Sequence, residues 1–330
     1  MRRMVLRETG FAEDARLRVD QADFPAPGPG EVALRVRACA VCHTDLHIVE
    51  GELTATLPRV PGHQVVATVE ALGAGVEGVS VGDRVGVGWL ASTCGVCRFC
   101  ASGRENLCER ARFTGRDRDG GYAGAMLADA RFVLPLPAAF DDVAAAPLLC
   151  AGIIGYRALK LCGVPRGGRL GLFGFGASAH IAAQVAGAMS CSTYVFTRSE
   201  AHRRLARELG AAWAGGAEDD PGVPLDAAVS FAPAGWIVPA ALARLDRGAT
   251  LAVNAVHAGD IPSFPYERLY WERAVRSVAN YTREDAREFL ALADEIGLRV
   301  EHETYALEDA NDALVRLKRG DVRGAAVLVP

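Results

Sequence analysis

Four cysteines near residue 100 have the spacing of ligands for a structural metal ion. Cys94, Cys97, Cys100 and Cys108 follow the pattern C-x2-C-x2-C-x7-C. Four thiolates in one loop form the closed tetrahedral shell of a structural zinc ion. We therefore expect a zinc ion at this loop that stabilises it without taking part in a reaction.

A second possible ligand set, Cys42, His63 and Cys150, is scattered along the chain. Three protein ligands leave a fourth coordination position open for water or substrate, as in catalytic zinc sites. Two thiolates and one neutral imidazole balance the charge of Zn2+, which can still polarise a carbonyl group or acidify an alcohol. We expect a second zinc ion whose role is chemical.

A glycine-rich turn later in the chain is typical of nucleotide binding. The predicted strand Arg169–Phe173 leads into Gly174, Gly176 and Ala177 within a G-x-G-x-x-A pattern, and a helix of small residues follows. Glycines let the backbone approach a pyrophosphate, and the helix N-terminus offers it free N–H groups. The turn therefore predicts a dinucleotide cofactor.

The residues after the next predicted strand bear on which dinucleotide binds. An acidic residue there selects NAD by binding the ribose 2′-hydroxyl, but this chain has Thr197, Arg198 and Ser199, with Arg203 further on. Hydroxyl and guanidinium groups suit a 2′-phosphate instead, because arginine can form two parallel hydrogen bonds with phosphate. We therefore favour NADP(H). The alternative is that the arginines form an exposed helix face.

The elements that must position these residues change character along the chain. The N-terminal part predicts a mostly β domain with strands Glu31–Ala38, Gln64–Ala71, Arg84–Gly88 and Arg131–Pro135. Later, apolar strands alternate with helices, which predicts a parallel sheet covered on both faces. These strands are Arg169–Phe173, Thr193–Thr197, Ala211–Ala214, Asp226–Phe231, Thr250–Asn254 and Val275–Ala279. A helix starting near Thr282, a helix over Glu308–Arg319 and a strand over Ala325–Val329 that returns to the first domain complete the prediction.

Composition excludes several function classes. The 330 residues are 50% hydrophobic and 23% charged, with a formal net charge of −4. There is no basic excess to neutralise nucleic-acid phosphates, and no uninterrupted apolar segment of membrane-spanning length or signal-peptide type. We expect a cytoplasmic protein with no nucleic-acid or membrane partner. Its nine cysteines are expected to be reduced, with Cys39, Cys162 and Cys191 as buried apolar side chains.

The motifs occur in an order that resembles a known family. The segments Cys42-His-Thr-Asp-Leu-His47, Pro61-Gly-His63 and Leu148-Leu-Cys150, with the four-cysteine loop and the glycine turn, resemble the zinc-dependent medium-chain alcohol dehydrogenases. Within that family, Phe196-Thr-Arg-Ser-Glu200 is similar to the NADP(H)-preferring aldehyde reductase and cinnamyl alcohol dehydrogenase branch. The resemblance covers nearly the whole chain. It implies an α/β fold with a mostly β GroES-like catalytic domain over 1–151 and 283–330 and a Rossmann doubly wound coenzyme domain over 152–282.

The resemblance also implies an activity and residue roles. It implies two zinc ions per chain and hydride transfer between a primary alcohol or aldehyde, aliphatic or aromatic, and the nicotinamide cofactor. Thr44 would take the proton of the substrate oxygen and relay it through cofactor ribose hydroxyls to His47. His43 would contact the pyrophosphate. Asp45 would hydrogen-bond the far nitrogen of His63 and so fix the tautomer of that ligand.

The substrate pocket is less determined by the sequence. Trp89 lies where relatives line the cleft, and Leu57, Phe113 and Ile154 are possible apolar neighbours. An aromatic and aliphatic lining would suit benzylic as well as aliphatic substrates, although core packing is the alternative for each residue. His257 is a weaker possibility for a group near the nicotinamide.

Three departures from the family pattern stand out, of which the mildest is Ala179 in place of the final glycine of the nucleotide turn. Gln64 follows His63 where the family usually has glutamate, which removes a negative charge near the metal and predicts a lower pKa for water bound there. The arginine that reaches the pyrophosphate in many relatives aligns with Ala325. Arg323, two residues earlier, would point to the same face if it lies on the same strand, and is a candidate substitute. Solvent exposure of Arg323 is the alternative that we favour.

The sequence leaves two other functions of the same fold open. One is a zinc-stabilised NADP(H)-binding redox sensor with little turnover, and another is a zinc-free quinone reductase. The complete ligand set argues against both. A homodimer or homotetramer is implied by resemblance, through pairing of the sheet edge at Val275–Ala279.

Overall fold

A computed structural model describes residues 1–256 and 258–330 of the protein, which form two compact units. The first unit comprises Met1–Cys150, Asn280–Asp294 and Val300–Pro330, and the second comprises Ala151–Ala279 and Glu295–Arg299.

The chain contains strands and α-helices in both units. The strands are β1 Arg2–Leu6, β2 Leu17–Gln21, β3 Glu31–Ala40, β4 Gln64–Leu72, β5 Arg84–Val87, β6 Leu90–Ser92, β7 Arg112–Phe113, β8 Ala125–Asp129, β9 Val133–Pro135, β10 Arg169–Phe173, β11 Ser192–Phe196, β12 Trp213–Gly215, β13 Leu225–Ser230, β14 Leu245–Val253, β15 Ala274–Ser277, β16 His302–Ala306 and β17 Ala325–Val329. The α-helices are α1 His43–Glu50, α2 Arg98–Ala101, α3 Asp142–Ala145, α4 Ala151–Cys162, α5 Ala177–Ala188, α6 Glu200–Glu208, α7 Ile237–Leu242, α8 Glu267–Tyr270, α9 Arg283–Glu295 and α10 Ala310–Arg319.

The first unit is built on one large sheet, as the N-terminal patterning predicts. Its strand order is β16-β17-β3-β4-β5-β9, and β8 also pairs with β3. The pairs of β3 with β4, β8 and β17 are antiparallel. The predicted return of the last strand to this domain is therefore confirmed. Buried apolar side chains of β1, β3, β4, β5, α1 and α10 form one core cluster.

Two predicted boundaries in the first unit need correction. The strand predicted over Arg131–Pro135 begins at Val133, because Asp129 accepts the N–H of Arg131 and caps a 3-10 turn over Ala130–Phe132. The helix predicted over Glu308–Arg319 begins with a 3-10 turn over Leu307–Asp309, and the α-helix proper starts at Ala310. It ends at Gly320 in the left-handed conformation, as expected for a glycine at this position.

The second unit has the predicted parallel sheet. Its strand order is β12-β11-β10-β13-β14-β15, and every pair is parallel. In order of their appearance in this unit the strands are arranged 3-2-1-4-5-6, which is the Rossmann order. The predicted α/β fold, a mostly β domain with a Rossmann domain, is confirmed. All four residues of the last strand, β15, are exposed at one edge.

The boundary between the units differs slightly from the predicted one. Asn280–Thr282 belongs to the first unit, where Tyr281 is buried beside Gly88. Glu295–Arg299 belongs to the second unit, where Gln184 exchanges two hydrogen bonds with the backbone of Arg299. The helical stretch Asp142–Cys162 is long and apolar enough to cross a membrane, but 61% of its most apolar window is buried inside the protein, as in a core helix.

Candidate functional site

The first ligand segment is organised by the N-terminus of α1. Cys42 precedes the helix in an extended conformation, and the Asp45 side chain accepts the backbone N–H of Cys42 at 3.0 Å. This bond satisfies one of the free donors of the helix start. The same carboxylate accepts hydrogen bonds from His63 Nδ1 at 3.0 Å and from the backbone N–H of Gly62 at 3.1 Å. Asp45 thus holds both Cys42 and His63, and its predicted contact with His63 is present.

The three scattered residues meet at one place. The Cys42 and Cys150 sulfurs and a His63 ring nitrogen lie within 4.8 Å of one another. His63 Nε2 is buried and has no hydrogen-bond partner among residues 1–256 and 258–330. Because a buried polar atom without a partner is costly, this arrangement fits a metal ion bound between the two sulfurs and the imidazole.

Protonation of the cluster without metal also fits this interpretation. Burial lowers the pKa of His63, but the Asp45 carboxylate and the nearby Cys42 outweigh burial and raise it to about 10. The Cys150 thiol lowers the pKa of Cys42, while Cys42 and burial raise that of Cys150. These directions favour the thiolate form of Cys42. Metal ligands bind in their deprotonated forms, so a divalent cation would favour loss of the protons of Cys150 and of His63 Nε2 as well.

The residues expected to relay the proton are brought together in part by α1. Thr44 is buried, and its hydroxyl lies 3.7 Å from the Cys42 sulfur. His47 is half-buried, and its Nδ1 contacts the Glu52 carboxylate. His43 is exposed at the first position of the helix. Glu52 carried no recognisable signal in the sequence, because the contact joins the last turn of the helix to the loop after it.

Two tyrosines beside this cluster were missed by sequence reasoning. Tyr122 is fully buried and donates from its hydroxyl to Asp45 at 3.2 Å. The Tyr281 hydroxyl packs against Gly88 and takes the place of a side chain there: a Cβ added to Gly88 would lie 1.8 Å from the hydroxyl oxygen. Burial raises the pKa of Tyr281, and a negative charge on Cys150 would add to this effect. The glycine pair before Tyr122 was a usable signal, because glycines inside a β region often mark a close backbone approach.

Aromatic side chains stand next to His63. The Trp89 ring packs edge-on to the His63 ring at 4.9 Å and stacks on Phe113 at 4.9 Å. Leu57 and Trp89 are half-buried and pack against the core of the first unit. Ile154 is half-buried in α4 of the second unit. His257 lies outside the described residues.

The four cysteines of the other set form a compact cluster. Their sulfur separations include 3.9 Å between Cys94 and Cys100, and 3.5 Å for both Cys97 to Cys100 and Cys94 to Cys108. Zinc–sulfur bonds of about 2.3 Å in a tetrahedron give separations of about 3.8 Å, so the cluster fits zinc. Backbone N–H groups of Val96 and Cys97 lower the pKa of Cys94 to about 5. The remaining cysteines, Cys39, Cys162 and Cys191, are buried as predicted.

The nucleotide turn has the geometry its glycines predict. Gly174 has a φ of 91°, which favours glycine, and its N–H donates to the Phe196 carbonyl at 2.8 Å. Gly176 caps α5, and no atom lies within 4 Å of the place where a Cβ on it would stand. The backbone at Gly176 is therefore open to a close approach, and the start of α5 has the free N–H groups that a pyrophosphate needs.

The residues expected at the ribose have different surroundings. Thr197 is buried, and Ser199 caps α6 by accepting the N–H of His202 at 3.3 Å. Arg198 is exposed and makes no hydrogen bond or ion pair within the described residues. Arg203 donates from Nε to the Thr197 carbonyl at 2.9 Å and pairs with Glu200 at 3.4 Å. Arg198 is thus free to bind a phosphate, whereas Arg203 is partly engaged.

Arg323 does not lie on the strand that was expected to direct it. Strand β17 begins at Ala325, which is buried, and Arg323 precedes it. Its Nε donates to Glu301 at 3.2 Å. Strand alternation therefore does not apply to Arg323, and its side chain is 54% exposed, in agreement with the favoured alternative of solvent exposure.

Known proteins resemble the chain over its full length. Residues 28–138 match the alcohol dehydrogenase GroES-like domain family. A probable alcohol dehydrogenase of Mycobacterium tuberculosis is 48% identical, covering 98% of this chain and 94% of the relative.

Two solved structures share the fold of the chain. One is a cinnamyl alcohol dehydrogenase of Sorghum bicolor, with a TM-score of 0.91, 27% identity and coverage of 99% of this chain and 97% of that one. The other is a cobalt- and zinc-bound thermostable alcohol dehydrogenase of Pyrobaculum aerophilum, with a TM-score of 0.90, 25% identity and coverage of 100% and 99%. With its ligand clusters, its Rossmann sheet and these relatives, the chain belongs to the medium-chain alcohol dehydrogenase family.

Proposed function

We propose that the protein is a zinc-dependent alcohol dehydrogenase or aldehyde reductase that prefers NADP(H). The observation that carries the proposal is the cluster of Cys42, His63 and Cys150, in which His63 is buried and its Nε2 has no hydrogen-bond partner within the described residues. The Pyrobaculum relative is a cobalt- and zinc-bound alcohol dehydrogenase, which supports a metal-dependent reaction in this protein.

The zinc ion would be held by the two sulfurs and by His63 Nε2. When bound, it would polarise the carbonyl group of an aldehyde or acidify the hydroxyl of an alcohol. Asp45 would keep the Nδ1 proton of His63 in place, so that Nε2 carries the lone pair directed to the metal. The four-cysteine cluster would hold a second, structural zinc ion.

The chain supplies a path for the remaining proton. Thr44, buried beside Cys42, would accept the proton of the substrate hydroxyl. His47 would receive it by way of the cofactor ribose and release it to solvent, held in orientation by its contact with Glu52. His43 would bind the cofactor pyrophosphate.

Cofactor preference would depend mainly on Arg198. The exposed guanidinium, with the hydroxyls of Thr197 and Ser199 beside it, suits a 2′-phosphate. The residue directly after β11 is Thr197 rather than the carboxylate that would bind the ribose hydroxyls of NAD, and Glu200, further on, is paired with Arg203.

Substrates are proposed to be primary alcohols and aldehydes, including aromatic ones. The stacked rings of Trp89 and Phe113 next to His63 offer a flat apolar wall, and Leu57 would add an aliphatic part. The Sorghum relative, a cinnamyl alcohol dehydrogenase, supports an aromatic substrate.

A homodimer or homotetramer in the cytoplasm completes the proposal. The exposed edge strand β15 has unpaired backbone groups on one side and exposed aromatic residues nearby, namely Tyr266, Tyr270 and Trp271. Pairing with the same edge of a second chain would satisfy those groups.

One experiment tests the proposed function. Purified protein is analysed for zinc per chain, and NADPH and NADH oxidation are assayed with a panel of aldehydes and quinones, with and without a chelator. We expect two zinc ions per chain and chelator-sensitive aldehyde reduction that is faster with NADPH. Turnover of quinones alone would favour a quinone reductase, and tight NADPH binding without turnover would favour a redox sensor; either would overturn the proposal.

A further inference from the structure

Asp45 is the most heavily hydrogen-bonded side chain at the proposed catalytic metal site. Its carboxylate is fully buried and accepts four donors: the N–H of Cys42 and the hydroxyl of Tyr122 on Oδ2, and the N–H of Gly62 and Nδ1 of His63 on Oδ1. Three of these donors belong to the segments that carry the metal ligands. Only the Tyr122 hydroxyl comes from elsewhere.

Tyr122 is itself immobilised by the loop that carries His63. Its N–H donates to the Pro61 carbonyl at 3.0 Å, and the preceding Gly121 donates to the Gly62 carbonyl at 2.9 Å. Its ring occupies the space beside Gly62, where an added Cβ would lie 2.3 Å from the ring. The hydroxyl is buried, and within the described part of the chain Asp45 is its hydrogen-bond partner. It therefore has no water-exposed position to turn to.

We propose that Tyr122 is a positioning residue for the catalytic metal, because its hydroxyl fixes the rotation of the Asp45 carboxylate and, through it, the placement of Cys42 and His63. This role rests on the proposed function of the three-ligand site. The physical reason is that a carboxylate with two donors on each oxygen has one favoured rotation, whereas loss of one donor frees it to turn. Groups that orient metal ligands typically change metal affinity about 10- to 100-fold when they are removed.

The test uses Tyr122→Phe, which removes one oxygen and keeps the ring. The matched control is Tyr305→Phe, because the Tyr305 hydroxyl also donates to a carboxylate, Glu303 at 2.9 Å, within the same unit but at an unrelated place. Release of zinc to a chelator is followed in time for both metal sites, and the cobalt-substituted proteins are compared by their visible absorption. We expect Tyr122→Phe to release the metal of the three-ligand site about 10- to 100-fold faster and to shift the cobalt bands. The four-cysteine site and Tyr305→Phe should behave like the wild type.

A double-mutant cycle with Asp45→Asn separates positioning from packing. If Tyr122 acts through Asp45, Tyr122→Phe should have little further effect in the Asp45→Asn background, and 4-aminophenylalanine at position 122, which keeps a donor, should restore slow release. The 4-aminophenylalanine protein also serves if Tyr122→Phe does not fold, since fast release from it would contradict the role.

The outcomes distinguish this role from the proposed function. Wild-type release and an unchanged cobalt spectrum in Tyr122→Phe, with two metal ions bound, would overturn the role of Tyr122 alone. An equal acceleration in the Asp45→Asn background would also overturn it. Wild-type protein that binds metal only at the four-cysteine cluster would overturn the proposed function together with this role.

Discussion

The side-chain amide of Gln64 donates to the carbonyl oxygen of Ala40 at 3.3 Å. The two residues are paired across β3 and β4, and Gln64 is only 2% exposed. The family's usual glutamate would be a poor replacement at this position, because a carboxylate has no N–H to offer the carbonyl oxygen. Gln64 is thus matched to its surroundings in this chain.

We predict that Gln64→Glu destabilises the protein by about 1 to 3 kcal/mol at neutral pH, since a buried acceptor would lose its donor. Burial should raise the pKa of the new carboxyl group in the folded state above its unfolded value. The loss of stability should therefore be small at low pH, where the new carboxyl group is protonated. It should grow as pH rises from the unfolded pKa of that group to its folded pKa. Urea unfolding of variant and wild type at pH 5.5 and 8 would measure the difference in their free energies of unfolding. An equal difference at both pH values would contradict this explanation.

The same variant tests whether the charge at position 64 acts on the metal. A carboxylate near the metal should move the pH–rate profile of the enzyme to higher pH, and an unchanged profile would show that position 64 does not act on the metal electrostatically.

The two groups of candidate metal ligands were predictable because ligand chemistry restricts residue type and spacing. Four cysteines in one loop and the Gly174 turn are patterns within a short stretch of sequence. They can therefore be recognised without knowing which distant residues the fold brings together. The departure at Gln64 was visible in the sequence, but its bond to Ala40 was not. That bond depends on the register of β3 and β4, which shifts twice through irregularities.

The two tyrosines beside the three-residue cluster were not predictable, because their positions depend on long-range contacts of the backbone. Tyr122 and Tyr281 reach the site from segments far from the ligands in sequence, and their places are set by backbone approach at Gly62 and Gly88. A single buried tyrosine has no periodic or motif signal. The start of β17 at Ala325 was, by contrast, predicted correctly, and it places Arg323 outside the strand.

We predict that Arg198 and Arg203 contribute unequally to cofactor choice. Arg198→Ala should lower kcat/KM for NADPH about 10- to 100-fold and leave that for NADH nearly unchanged, because about 1.5 to 3 kcal/mol of charged hydrogen bonding is lost. Arg203→Ala should have a smaller effect, since its guanidinium already binds the Thr197 carbonyl and Glu200. Steady-state kinetics of both variants with NADPH and NADH would measure these changes in kcat/KM. Equal losses for NADPH and NADH in Arg198→Ala would contradict recognition of the 2′-phosphate.

A bidentate ion pair joins neighbouring strands of the Rossmann sheet. Arg169 at the start of β10 donates to both oxygens of Asp226 in β13, at 2.6 and 3.1 Å, and its backbone N–H adds a bond at 2.7 Å. The Arg169 guanidinium lowers the pKa of Asp226.

We predict that Asp226→Asn lowers the stability by about 1 kcal/mol at pH 7, because the pair is partly exposed and screened by solvent. Since the folded-state pKa of Asp226 is depressed, its contribution is present above the unfolded pKa and is lost as pH falls through the folded value. The difference from wild type in thermal midpoint should therefore narrow in acid. Asp246→Asn is the control, because Asp246 contacts the same arginine only at 3.4 Å and is more exposed. An equal loss of stability in both variants would contradict the importance of the bidentate geometry.

The four-cysteine loop is tied to the start of α9 by a buried carboxylate. Glu105, between Cys100 and Cys108, accepts the backbone N–H of Arg283 at 2.9 Å and its guanidinium at 2.7 Å. The guanidinium also lies over the Phe132 ring, 4.6 Å from its centre. Burial raises the pKa of Glu105, but Arg283 more than offsets this and lowers it.

We predict that Glu105→Gln costs about 2 kcal/mol at pH 7.5, because a charged hydrogen bond becomes a neutral one at a mostly buried site. The loop should also release its metal several-fold faster, since its anchor to α9 is weakened, while the site at Cys42, His63 and Cys150 should keep the wild-type rate. Glu109→Gln is the matched control: it removes the same charge from the same loop at an exposed position. Thermal unfolding and timed zinc release would measure both effects. If Glu109→Gln accelerated release as much as Glu105→Gln, the loss of negative charge near the cysteines, rather than the loss of the anchor, would be the cause.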